Sequence, residues 1–210
     1  MTVTDYVEPY DESVLNSYVN CGNVRFFNDG IGYKTQRVFE VGYDEETDMI
    51  TIPIRNNVGD LVAVKGRRNF ESDTMPKYTH LLPRKGPSVL YGLHINYPEI
   101  TDTVTLVEAE KAVMQGYEFG ARDLLACGTC AITEEQARLV TELRVKCVRL
   151  GFDSDVDDDH YRRAELQLRG EGFEGEIQRW KPSCDTPSKS APTDIGKEFY
   201  NKCQFCTMSP

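Results

Sequence analysis

The rhythm of hydrophobic and polar positions changes along this chain and marks out two regions. Residues 1–40 carry apolar residues in short clusters broken by the turn-forming "NDGIG", and predict short helical pieces. In "DMITIPIRNNVGDLVAVKGRR" the pattern switches to period two. Ile50, Ile52 and Ile54 alternate with Thr51, Pro53 and Arg55, and Leu61 and Ala63 resume the alternation beyond the turn chemistry of "NNVGD". This predicts a β-hairpin. Residues 69–102 hold Pro76, Pro83, Pro87 and Pro98 and read as looser structure.

From residue 103 strands and helices alternate. "TVTLV", "DLLAC", "CVRLGF" and "GEIQRW" are short apolar runs of strand type. Between them lie "EAEKAVMQGYEFG", "ITEEQARLVTELR" and residues 157–169, all of helical composition. Thr133 and Gln136 form a capping-box pattern ahead of an apolar stripe of Ala137, Leu139, Val140 and Leu143. A last helix is expected near Asp194. Such alternation predicts a mainly parallel sheet flanked by helices. The fold class is therefore α/β: an α+β N-terminal subdomain over 1–102, a parallel-sheet subdomain over 103–200, and a tail over 201–210.

Composition narrows the picture. The 210 residues are 40% hydrophobic, enough to bury a core. No apolar run approaches the roughly 18 residues of a membrane span, and the N-terminus has neither a basic nor an apolar signal region. Seven scattered cysteines fit a reducing cytoplasm. The net charge of −10 argues against a general nucleic-acid coat protein. The charge is uneven, however. Between Lys65 and Lys85 six basic residues (Lys65, Arg67, Arg68, Lys77, Arg84, Lys85) stand against two acids, which suits either a solvated loop or an anion-binding surface.

The acids raise the chemical question. In "VRLGFDSDVDDDH" five aspartates follow an apolar strand within seven residues, at a density that folding alone does not favour. Asp157, Asp158 and Asp159 precede or open a helix, where carboxylates complement the helix dipole; Asp157 is also a candidate ligand. Asp153 and Asp155 follow the third strand of the unit and Glu108 the first, at the sheet end where α/β chemistry gathers. If the chain stays extended there, Asp153 and Asp155 point the same way. Hard oxygen donors in this arrangement suit Mg²⁺ or Mn²⁺. "CGTC" reads as core and turn cysteines. Cys184, Cys203 and Cys206 fall one short of the four ligands of a closed zinc site.

"TLVEAEKAVMQGYEFGARDLLACGTCAITEEQARLV" followed by "VRLGFDSDVD" resembles the Toprim domain, which carries a glutamate after its first strand and D-x-D after its third. "DGIGYKTQRVFEVGYDEETDMITIPIRNNVGDLVAVKGRR", "MPKYTHLLPRKGPSVLYGL", "GTCAITEEQ" and "SAPTDIGKEF" resemble, in order, stretches of the RNA-polymerase core of DnaG-type bacterial and phage primases. The resemblance covers roughly residues 28–200. It implies a catalytic core that makes RNA primers on single-stranded DNA, with template in a groove between the subdomains. Glu108, Asp153 and Asp155 would be the catalytic and metal-binding acids. Arg55, Lys65, Arg67, Lys77 and Lys85 would hold template, primer or ribonucleoside triphosphates. A replicative helicase or a separate zinc-ribbon protein is the implied partner, in the cytoplasm of a bacterium or phage-infected host. The alternatives are a degenerate Toprim protein that binds DNA or a replication partner, and a Toprim nuclease. The chain departs from the family pattern where E-G-x-x-D reads Glu108-Ala109-Glu110-Lys111-Ala112, where D-P-x-D reads Ala191-Pro192-Thr193-Asp194, and where Ser154 replaces the glycine of D-G-D.

Overall fold

A computed structural model describes residues 7–208, in two compact units that divide between Pro87 and Ser88. The boundary expected at 102/103 falls inside the second unit, because Leu90 and Leu93 are buried in that unit's core and Tyr91 bridges to Ala126.

The first unit opens with a 3₁₀ turn (Glu12–Ser17), followed by α1 (Val24–Asn28) and α2 (Tyr33–Val38), and continues with β1 (Gly42–Asp44), β2 (Met49–Arg55), β3 (Leu61–Arg68) and β4 (Tyr78–Leu82). The four strands form an antiparallel sheet in sequence order. The expected hairpin is β2–β3, closed by Asn56 and Asp60. β2 is buried along its whole length. Pro53 is tolerated because β1 ends opposite Thr51, so β2 has a neighbour on one side only at that point.

In the second unit α3 (Leu93–Asn96) leads to β5 (Thr103–Val107), α4 (Glu110–Phe119), β6 (Leu124–Ala126), α5 (Glu134–Glu142), β7 (Cys147–Leu150), α6 (Asp158–Gly170), β8 (Glu176–Lys181), α7 (Lys197–Tyr200) and β9 (Gln204–Thr207). The sheet order is β6-β5-β7-β8-β9. The first four strands are parallel; β9, in the segment expected as a tail, pairs antiparallel with β8. β5 is followed by its neighbour on one side and β7 by its neighbour on the other, which makes the carboxyl ends of these two strands the switch point of the sheet. The core behind it includes Val104, Leu106, Leu125, Val148, Leu150 and Phe152, with Tyr161 and Leu168 from α6.

The capping box of α5 is complete: Thr133 Oγ1 accepts from Gln136 N–H, and Gln136 Oε1 accepts from Thr133 N–H. The Gln136 amide also donates to the carbonyls of Val89 and Cys127. Thr133→Ala removes one cap and is expected to cost about 1 kcal/mol. Thermal melting should register this as a drop of roughly 2–4 °C; an unchanged melting temperature would show that Gln136 alone holds the turn.

Candidate active site

The switch point is built by the ends of β5 and β7. Glu108 follows β5 and Asp153 lies three residues beyond β7; both are half-buried. They are joined directly, since Glu108 Oε1 accepts the backbone N–H of Asp153 at 3.0 Å. Gly151, between them and the sheet, allows close approach: a Cβ there would meet Pro192 Cγ at 3.3 Å and Thr105 Cγ2 at 3.4 Å. The 190–194 segment is thereby drawn against the strand ends. Ser154 fastens it further, with its N–H donating to Ser190 O, its hydroxyl donating to Pro187 O, and its Oγ accepting from Ser190 N–H. The serine that replaces the turn glycine of the D-G-D pattern thus has a structural use.

The turn corrects one expectation. The chain is not extended from Asp153 to Asp155: Val156 N–H closes a turn onto Asp153 O, and Asp155 is exposed. The alternation argument therefore does not align the two carboxylates. Asp155 still contributes through its charge. Burial, then Glu108, then Asp194 and Asp155 push the Asp153 carboxyl up to about 6, and Lys111 pulls it back down. Asp153 is the group on which the charges of this site converge.

Two of those residues were absent from the predicted site. Asp194 accepts the Ala191 N–H on Oδ2 at 3.0 Å, and its Oδ1 lies 2.6 Å from Lys111 Nζ. The sequence signals were the surviving aspartate of "APTD" and a lysine inside the E-x-x-x-x motif, which are 83 positions apart. Asp157 serves differently from the other acids. Its Oδ1 accepts the backbone N–H of His160 and lies 2.7 Å from His160 Nδ1, as the N-cap of α6, and these contacts hold its carboxyl below the ordinary carboxylate range. Asp158 pairs with Arg179.

Among the described residues no three Asp, Glu, His or Cys side chains already converge on one point at ligand distance. The donors of Glu108, Asp153 and Asp155 are nonetheless all hard oxygens, and their mutual repulsion on a half-buried carboxyl is what a divalent cation relieves. The chemistry of the set fits Mg²⁺ or Mn²⁺. The neighbouring thiols are soft donors and match Mg²⁺ or Mn²⁺ poorly. Cys127 is half-buried, and its thiol is pushed up to about 12 by desolvation and then by Glu108; Cys130 is shifted upward by the same causes. Both stay protonated, as core and turn cysteines should.

The basic residues lie in the first unit. Lys65 and Arg67 are two apart on β3 and share a face. The ammonium groups of Lys65 and Lys77 lie 4.8 and 5.8 Å from the centre of the Tyr78 ring. Arg67 is 4% exposed and stacks over Phe26. Its Nη2 donates to Asp29 at 3.2 Å, while Nε and Nη1 have no hydrogen-bond partner among the described residues. It lines a cavity of about 170 Å³ with Arg25, Arg68, Phe70, Glu71 and Lys77. Arg25 is paired with Glu71. Lys85 lies over Tyr10 and reaches Pro9 O at 3.4 Å. Arg55 does not belong with these. Its five N–H groups are taken by Glu12, Glu40 and Gly59 O at 2.5 to 2.8 Å, leaving no donor for a phosphate.

No protein-family model matches the chain. Among curated proteins it is 28% identical over 158 residues to the SPbeta prophage-derived uncharacterized protein YorJ of Bacillus subtilis (strain 168), covering 69% of this chain and 42% of that protein. Among solved structures it superposes on the zinc-binding and RNA polymerase domains of the Aquifex aeolicus primase with a TM-score of 0.70 and 23% identity, covering 87% of this chain and 56% of that one. It also superposes on the DnaG primase catalytic domain bound to single-stranded DNA, with a TM-score of 0.69 and 15% identity over 85% of this chain and 71% of that one. The chain has the fold of the DnaG primase catalytic core. It spans less than half of its curated relative and just over half of the Aquifex chain. No described helix is long and apolar enough to cross a membrane.

Proposed function

We propose that this chain is a DNA primase catalytic core that joins ribonucleotides into short primers on single-stranded DNA. The observation that supports this most is the Glu108–Asp153 pair: two acidic residues joined by the bond from the Asp153 backbone N–H to the Glu108 carboxylate, at the switch point of a primase-core sheet, with further acids raising the pKa of Asp153.

In this reading Glu108, Asp153 and Asp155 hold Mg²⁺ or Mn²⁺, which, when bound, offsets charge on the reacting phosphate. Asp157 caps α6 at the edge of the site and leaves the primary ligand role to the other three. Glu108 accepts the proton of the primer 3′-hydroxyl as that oxygen attacks the α-phosphate of the incoming nucleotide and pyrophosphate leaves. Lys65, Lys77 and Lys85 bind phosphates of template and nucleotide without reading sequence. Arg67, whose Nε and Nη1 have no hydrogen-bond partner among the described residues, adds positive charge for a triphosphate beside the cavity it lines. A helicase or a zinc-ribbon protein delivers the template.

The test is primer synthesis by the purified protein, with single-stranded template, labelled ribonucleotides and Mg²⁺ or Mn²⁺, beside Glu108→Gln. Short RNA that depends on metal and is lost in the variant is the expected result. Template cleavage would make the protein a nuclease. No product with either metal, even with a zinc-ribbon partner added, would leave a DNA-binding protein without catalysis.

A further inference from the structure

One of the acids beside the strand ends is already paired with a positive charge. Lys111, the second residue of α4, has a side chain only 18% exposed, and its Nζ lies 2.6 Å from Asp194 Oδ1. Asp194 Oδ2 accepts the Ala191 N–H, so both carboxylate oxygens are engaged by the protein. The residues at the two lost acid positions, Ala112 and Ala191, are 1% and 5% exposed, so methyl groups are packed where carboxylates would otherwise stand. The influence of Lys111 is not confined to Asp194, since it also opposes the combined push of Glu108, Asp194 and Asp155 on Asp153.

We propose that Lys111 takes the place of a second divalent ion: the site binds one Mg²⁺ or Mn²⁺ on Glu108, Asp153 and Asp155, and the ammonium held by Asp194 supplies the other positive charge. This rests on the metal-dependent transferase reading above. Counting charges favours it. Glu108, Asp153, Asp155 and Asp194 set four carboxylates against the single ammonium of Lys111, and the other four charges all act on Asp153. One divalent ion brings this set to a net charge of minus one. A second ion would have to displace Lys111 from Asp194 or leave a half-buried site with excess positive charge, against a desolvation cost. An ammonium has three donors on a flexible stem; one is used on Asp194, which leaves others to face a phosphate oxygen. Lys111 is thus a positioning residue that sets how many metal ions the acids accept.

The test counts Mn²⁺ bound per full-length chain from the electron paramagnetic resonance signal of the free ion, without nucleotide or DNA. Thermal melts establish that each protein is folded. One ion is expected for the native chain, two for Lys111→Met, and one for Lys111→Arg, which keeps the charge. Two ions in the native chain overturn the inference even if Lys111→Met fails to fold. One ion in a folded Lys111→Met also overturns it. No ion in the native chain, with Asp153→Asn behaving identically, removes the metal site itself and with it the transferase reading.

Discussion

Arg55→Met is expected to destabilise the protein by about 2–3 kcal/mol, below the roughly 3–5 kcal/mol for breaking a fully buried ion pair because its exposed partners can rehydrate. The Arg55 side chain is 10% exposed, whereas Glu12 and Glu40 are 60% and 42% exposed. Methionine keeps the apolar stem, so the loss isolates the guanidinium. That group ties together three parts of the first unit: the turn at Glu12, the end of α2 at Glu40, and the β2–β3 loop at Gly59. A drop in melting temperature of roughly 4–12 °C should follow. The pH dependence has a definite sign. Arg55 holds the Glu12 carboxyl below its ordinary range, so this contribution is present above the unfolded carboxylate pKa of about 4.3 and is lost as pH falls through the lower folded value. The gap between native and variant proteins should narrow in acid. The salt dependence of single-stranded DNA binding should not change, whereas Lys65→Ala or Lys77→Ala should each lower its slope by about one phosphate contact. Weakened DNA binding at an unchanged melting temperature would return Arg55 to the phosphate-binding set.

The contrast between Arg55 and Lys77 shows what the sequence could carry. A basic residue looks the same in sequence whether it faces solvent or two carboxylates, and the partners of Arg55 lie 43 and 15 positions away. The parallel strands of the second unit were legible because apolar runs and helical patterns repeat there, and α5 because its cap is written in four residues. β1, β4 and β9 were not: they are three to five residues long, and β4 lies between Pro76 and Pro83, where punctuation outweighs periodicity. β9 is an edge strand whose residues are mostly exposed, so it carries little hydrophobic signal. Glu108 and Asp153 were legible from position, as acids just past strand ends. The direction of Asp155 was not, because it depends on a turn that Ser154 fastens to residues 187–190. Lys111–Asp194 lay beyond reach for the same reason as Arg55–Glu12, since only the folded sheet brings α4 and the 190–194 segment together.

Asp153→Asn should be inactive and yet more stable than the native protein without metal. The Asp153 carboxyl is half-buried among like charges, and its folded pKa of about 6 lies above the unfolded value. Between about pH 4 and 6 the folded state therefore binds more protons than the unfolded chain, and stability falls as pH rises through that window. Above it the ionised carboxylate imposes a constant penalty. Asparagine has nearly the same shape, keeps the backbone N–H that Glu108 accepts, and cannot ionise. At pH 7.5 the variant should melt roughly 2–4 °C higher, about 1 kcal/mol once solvent screening at this partly exposed site is allowed for. Below about pH 4, where both side chains are neutral, the difference should vanish. Saturating Mn²⁺ should raise the melting temperature of the native protein and leave that of the variant nearly unchanged, since a neutral amide no longer draws the cation. Primer synthesis should fall by about 10²–10³-fold or more, the scale of losing one preorganised electrostatic contact in a transfer reaction. A residue kept for packing gives the opposite pair of results, lower stability at pH 7.5 and retained synthesis. A carboxylate that raises the free energy of the metal-free fold is retained for what it binds, and the opposed signs of the two effects identify it as such.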